Sequence, residues 1–134
     1  MCYTIYVRKL CFGMILGGTN MNKYEKLTED LMKALKDTEY IENDTRIEDD
    51  GTCNFDTPAL FLNRWREDKV CAAAQSAGSY AIKCEDLTKY FHKTLFTFTF
   101  PTRNQGYRRT ARAEAICKVL AEIGYETYLY QAVD

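Results

Sequence analysis

The chain has 134 residues, of which 46% are hydrophobic and 28% charged, and its formal net charge is −1. That balance fits one domain with one core and excludes disordered and collagen-like chains and binding to nucleic acid by bulk charge. No apolar run approaches the roughly 20 residues needed to span a bilayer, which excludes a transmembrane helix, and we expect a cytoplasmic protein.

Residues 1–20 read MCYTIYVRKLCFGMILGGTN. A signal peptide would place its bases before the apolar stretch, whereas Arg8 and Lys9 interrupt it and no A-x-A site follows. Gly17-Gly18 can be encoded as a ribosome-binding sequence, with Thr19-Asn20 as the spacer before the codon of Met21. We therefore expect residues 1–20 to be a mis-annotated leader, with translation starting at Met21; the alternative is an extra strand at Tyr3–Val7. The domain itself would then span residues 21–134.

Asn22 can cap a helix, and Glu25, three residues on, completes a capping box. Tyr24, Leu27, Leu31, Ala34 and Leu35 fall on one face, which predicts a helix from Asn22 to Asp37. Residues 37–51 are acidic and turn-rich and read as a loop with a short exposed strand at Thr45–Glu48. Thr52–Asp56 reads as a strand. Thr57-Pro58 reads as a helix start, with the helix running from about Leu60 to Ala77, restarting at Asn63, and closed by Gly78. Ser79–Cys84 alternates as a strand does, and Asp86–His92 is ambiguous. Thr94–Phe100 is the clearest strand, with Phe96, Phe98 and Phe100 on one face. A polar loop at Thr102–Arg109 leads to a helix beginning at or just before Thr110 and ended by Gly124, and Tyr125–Val133 reads as a last strand. The expected fold is α+β: an N-terminal helix, then the ferredoxin-like order β-α-β-β-α-β, a mostly antiparallel sheet with its helices on one face.

The charge is unevenly spread. Residues 21–57 carry 11 acids and 5 bases, net −6, whereas residues 58–134 carry 8 acids and 11 bases, net +3. Between Lys89 and Arg112 there is no acid at all, and Arg103, Arg108, Arg109 and Arg112 crowd the start of the last helix. A helix N-terminus is electropositive and prefers Asp or Glu, so arginines there call for an anionic partner. Phosphate would suit them, as would carboxylates on another protein or in this chain's own 37–50 loop. The remaining reading is a solvated loop whose arginines pair with nearby acids. The candidate binding residues are Arg103, Asn104, Gln105, Tyr107, Arg108, Arg109 and Arg112. TRNQGYRRT is not a phosphate loop, since it lacks G-x-x-x-x-G-K-[ST].

Other features admit a bland and a sharp reading. The Phe96, Phe98 and Phe100 stripe could stack on bases, as aromatics of an RNA-recognition motif do, or could be core; the glycines of that motif are absent. Trp65 between Arg64 and Arg66 could anchor an interface or pack on a helix face. Six cysteines without a C-x-x-C pair, and one histidine, His92, make neither a zinc site nor a disulfide framework, so we expect no metal and no cofactor. An enzyme would need His92 to meet a cysteine or carboxylate in space; otherwise no catalytic residues are expected.

From about Gly51 onward the chain resembles a group of small uncharacterised proteins from phages and mobile elements of Gram-positive bacteria. The resemblance rests on CNFDTPAL at 53–60, Arg64-Trp65, NQGYRRT at 104–110 and the tail AEA…GYETYLYQ. It implies a small accessory protein, of the kind that interferes with host defence, and carries over no functional residues. The expected function is therefore non-enzymatic docking onto a protein or nucleoprotein target, such as a CRISPR-type defence complex. The alternatives are direct nucleic-acid binding through Arg103–Arg112 and a small enzyme using His92 and a cysteine.

Overall fold

The computed structural model describes residues 21–47 and 55–131. The expectations for residues 1–20, for Glu48 and for Thr52–Asn54 lie outside them. Helix α1 spans Lys23–Thr38 and begins as the sequence predicts. The Asn22 side chain accepts from the backbone N–H groups of Tyr24 and Glu25, and the Glu25 carboxylate accepts from the N–H of Asn22. Leu27, Leu31 and Ala34 are its buried stripe.

A short 3-10 turn at Glu39–Asn43 follows, and residues 44–47 continue as a turn closed by the Ile47 N–H on the Asp44 carbonyl, not as the exposed strand expected from Thr45. The remaining elements are β1 (Thr57–Phe61), α2 (Glu67–Ser76), β2 (Tyr80–Lys83), α3 (Glu85–Phe91), β3 (Leu95–Thr99), α4 (Tyr107–Ile123) and β4 (Thr127–Tyr130).

Two expectations are corrected here. The strand assigned to Thr52–Asp56 begins at Thr57, and the helix expected from Leu60 begins only at Glu67. Thr57-Pro58 looks like a helix start, but the Thr57 hydroxyl donates to the Phe55 carbonyl and the preceding Asp56 faces α4. The Asp56 carboxylate accepts from the Thr110 hydroxyl, and its carbonyl accepts from Arg109. Pro58 is tolerated in a central strand because the ladder to β3 starts only at Ala59. Gly78 does end α2. Its φ of +84° is the left-handed geometry in which glycine carries no steric cost, and the N–H groups of Gly78 and Ser79 reach back to Gln75 and Ala74.

The four strands form an antiparallel sheet in the order β2-β3-β1-β4. Because β1 and β2 both run antiparallel to β3, they are parallel to each other, with β3 between them and α2 as the crossover. In the same way β3 and β4 flank β1 and are joined through α4.

The Phe stripe is core. Phe96, Phe98 and Phe100 pack with Val70 and Ala74 of α2, Ile116 and Leu120 of α4, and Leu27 and Leu31 of α1. Helices α1, α2 and α4 therefore cover one face of the sheet, and α1 contacts both of the others. Removing each phenylalanine ring from water contributes roughly 1.5–3 kcal/mol, which is why this stripe faces inward rather than toward a ligand. Among the described elements α3 alone lies on the opposite face, so the helices do not all share one face as expected. Phe91 of α3 packs edge-on against Phe61 of β1 and Tyr128 of β4, with centroids 5.4 and 5.3 Å away. Among the described residues no helix is long and apolar enough to cross a membrane.

Candidate functional site

The start of α4 carries no acid, and Gly106 before it offers no side-chain cap. The acids absent from the sequence there arrive through the fold. Arg112, 4% exposed, is the centre of the arrangement. Its Nη1 donates to Glu42 Oε2 (2.7 Å) and to the Pro101 carbonyl (3.0 Å). Its Nη2 donates to the Leu35 carbonyl (3.0 Å), and its Nε to the Thr38 hydroxyl (3.2 Å). One guanidinium thus ties the end of α1, the 3-10 turn and the β3–α4 loop together, with its Cζ 5.1 Å from the centre of the Phe100 ring.

Glu42 receives the other half of the clamp. Its Oε1 accepts from the Thr102 hydroxyl (2.7 Å) and from Asn104 Nδ2 (2.8 Å). Burial pushes this carboxyl up, but the hydrogen bonds from Arg112, Thr102 and Asn104 outweigh it and hold the group below its ordinary range. Asn104 Nδ2 also reaches the Glu42 carbonyl (3.1 Å), and Arg103 Nη2 reaches Asn43 Oδ1 (3.3 Å). Arg108 Nε donates to the Asp44 carbonyl (3.2 Å). Arg109 Nε donates to the Asp56 carbonyl (3.0 Å) while its guanidinium lies 5.2 Å from the centre of Phe100, and burial lowers its pKa.

The seven residues expected to bind a partner are therefore gathered at one end of the molecule, and they divide. Asn104, Arg109 and Arg112 hold this chain's own segments together. Arg108 is half-buried on the Asp44 backbone, and Arg103, Gln105 and Tyr107 lie exposed at the rim. An open hollow of about 510 Å³ between Glu39, Glu42, Thr102 and Arg103 marks the outer side of the clamp. Within it Glu42 and Arg112 satisfy one another, whereas Glu39 and Arg103 make no ion pair among the described residues.

His92 ends α3 in the left-handed conformation (φ 57°) and is exposed. Among the described residues it makes no hydrogen bond to a cysteine or a carboxylate. The Cys71 and Cys117 thiols point at the carbonyls of Ala81 and Tyr128, and burial raises both, which keeps them protonated and weakly nucleophilic.

Two further surfaces lie away from this cluster: the first was not singled out by the sequence, and the second, at Trp65, was read from it as an interface anchor or a helix-face residue. On the sheet face away from α1, α2 and α4, Tyr80 and Ile82 of β2 are 63% and 58% exposed, beside Thr97 and Thr99 of β3. The alternation Ser-Tyr-Ala-Ile-Lys is the signal that places Tyr80 and Ile82 opposite the buried Ala81. The second surface is the corner at Trp65, where Lys23 Nζ sits 4.7 Å above the indole and Tyr24 meets it edge-on at 5.3 Å. No protein-family model, curated protein or solved structure matches the chain.

Proposed function

We propose that this protein is a non-enzymatic binding protein of a phage or mobile element, acting by docking onto a protein target, and that its sheet is a ferredoxin-like one. The topology supports the second point: two crossovers, through α2 and through α4, each skip one strand, which is the split βαβ arrangement. The observation that carries the first is the sheet face without α1, α2 and α4. Tyr80 and Ile82 stand exposed side by side on an edge strand, with a threonine ladder next to them.

A flat face of aromatic and aliphatic side chains suits the apolar centre of a protein interface. Charge favours protein over nucleic acid as the occupant. Lys83 is 3.8 Å from Glu85 and Lys93 is 2.6 Å from Glu126, so these two lysines at one end of the sheet have carboxylate partners, which leaves Lys89 of α3 without an ion pair among the described residues. A phosphate backbone would need unpaired cations. The rim residues Arg103, Gln105 and Tyr107 extend the contact at the other end of the chain's basic stretch. Inhibition of a host defence nucleoprotein complex is the instance that the resemblance to phage proteins implies.

Capture from a Gram-positive host lysate, followed by mass spectrometry, tests this reading. Tyr80→Glu with Ile82→Glu is expected to remove the captured protein while leaving the thermal transition in place, and Lys118→Glu is expected to retain it. Undiminished capture by the double variant would remove the sheet face from the argument. Capture of nucleic acid alone, weakening steeply with salt, would replace docking by direct nucleic-acid binding.

A further inference from the structure

Strand β2 is an edge, with β3 as its one neighbour among the described strands. The Cys84 N–H donates to the Leu95 carbonyl (2.8 Å), which continues the pairing of Ile82 with Thr97 and of Tyr80 with Thr99. Alternation along the strand therefore turns the backbone groups of Ala81 and Lys83 away from β3. Among the described residues the Ala81 carbonyl meets the Cys71 thiol, a weak donor 3.5 Å away. Natural edges are blunted by proline, by bulges or by charge. β2 has a single lysine, Lys83, which turns back to Glu85 at 3.8 Å. Tyr80 and Ile82 stand large and exposed beside the open edge, whereas β4, at the far edge, carries no exposed large hydrophobic residue.

The residues of this edge complement themselves. Laid antiparallel about a two-fold axis at Ala81, two β2 strands set Tyr80 of each copy opposite Ile82 of the other. An aromatic ring against a β-branched side chain is a favourable cross-strand pair. The outward N–H and carbonyl of each Ala81 meet their counterparts, and each Lys83 N–H meets the Ser79 carbonyl of the other copy. The Ser79 N–H needs no partner there, because it already donates to the Ala74 carbonyl. An axis at Lys83 would set like charges face to face, and an axis at Ile82 forms no tyrosine–isoleucine pair.

Charge selects the same axis. Lys83 shares the face of Ala81, which belongs to the core beneath α2. Helix α2 ends at Ser76, three residues before Ser79, and has no basic residue in its last turn. A helix C-terminus is electronegative and favours a cation. In the pairing about Ala81, Lys83 of the second copy stands opposite Ser79, beside that end. Each copy supplies the cation that α2 of the other lacks.

From the open edge, the self-matching register and the missing cation of α2, we propose that two copies of this chain join through antiparallel β2 strands into one continuous sheet. A two-fold contact of this kind closes on itself, whereas β2 against β4 of another copy would propagate as an open fibre. The pairing uses the edge of β2 and leaves its Tyr80–Ile82 face open, so it does not depend on the docking reading above. An interface this small predicts a dissociation constant of about 10–100 µM.

Sedimentation equilibrium of the purified chain on both sides of that range tests the proposal, and a reversible monomer–dimer equilibrium is expected. Hydrogen exchange locates the contact. The Ala81 and Lys83 amides should slow as the concentration rises, while those of Tyr80 and Ile82, bonded to β3, are slow throughout. Ala81→Pro removes the outward N–H and fills the edge without touching the β3 ladder, so it should leave a folded monomer. Lys83→Glu puts an acid beside the end of α2 and should weaken the dimer roughly tenfold. The melting transition of each variant is measured alongside, and Lys83→Glu decides if the proline variant does not fold. A chain that stays monomeric throughout overturns the proposal. So does a dimer whose Ala81 and Lys83 amides still exchange freely, or one that both folded variants form as tightly as the parent chain. Capture from a lysate reads the open face alone, so the two readings fail separately.

Discussion

The two basic regions of this molecule, the start of α4 and the Trp65 corner, use their cations in opposite ways. At α4 the fold delivers a counter-group to Arg112 and Arg109, so both become internal struts. At Trp65 Glu25, Asp30 and Asp68 are taken up by a cap and by neighbouring side chains, while Lys23, Arg64 and Lys69, and Glu67 with them, remain outside any ion pair among the described residues. Density of positive charge along a sequence is therefore a poor guide to where a partner binds. What decides is whether the fold brings carboxylates and carbonyls to the guanidinium before a partner can.

The sharpest way to break this contrast is Arg112→Ala. Removing one member of a buried ion pair leaves Glu42 uncompensated and costs about 3–5 kcal/mol. For a domain of this size the thermal midpoint should fall by roughly 10–20 °C. A fall of a degree or two by calorimetry would return Arg112 to the surface.

Acid provides the second test. Glu42 titrates below its ordinary value of 4.5 in the folded protein, so the stability it contributes is present above that pH and is lost as pH falls from there. Glu42→Gln should lower stability at pH 7 by about 1–3 kcal/mol and make the acid limb of a urea-midpoint profile shallower. A parallel profile would place the acid sensitivity elsewhere. Asp44, which the bonds from Arg46 hold down to about 2, is depressed in the same sense and loses its own contribution over the same fall in pH, so the Glu42→Gln profile is read against that of Asp44→Asn.

The smallest effect is expected at the other region. Lys23→Ala with Lys69→Ala should change stability by no more than about 0.5 kcal/mol, as surface substitutions do. A larger loss would mean that the stacking of these lysines on Tyr24 and Trp65 supports the fold, and the contrast between the two regions would narrow.

Much of the architecture was legible because its signals are local. The Asn22–Glu25 box, the Phe96–Phe100 alternation and the glycines at 78 and 124 each specify geometry within one turn or one pleat. Strand β1 was not. Asp56-Thr57-Pro58 carries a helix-start pattern, and its real role depends on α4, 53 and 54 positions away, and on two strands that come later. Pairing with those strands overrides the local preference.

The site divides along the same line. That the α4 arginines need anions follows from helix electrostatics. That Glu42 would arrive from 70 positions away depends on where α1 ends and how it crosses α4, which no local pattern encodes. The residues at Trp65 were visible as types, but their hollow is made of α1, α4 and a turn, and only the folded chain assembles it.

The interleaving of the strands also governs how the chain must be made. Strand β1 sits at the middle of the sheet, yet its neighbours are residues 95–99 and 127–130. During synthesis, therefore, α1 can form early, but β1 waits until residues as far as Tyr130 have left the ribosome. Such non-local pairing slows folding, because loop closure must precede the contacts that reward it. A nascent chain halted before Thr127 would hold β1 with one side of its ladder open, a surface that chaperones, or other copies of the same nascent chain, would meet first.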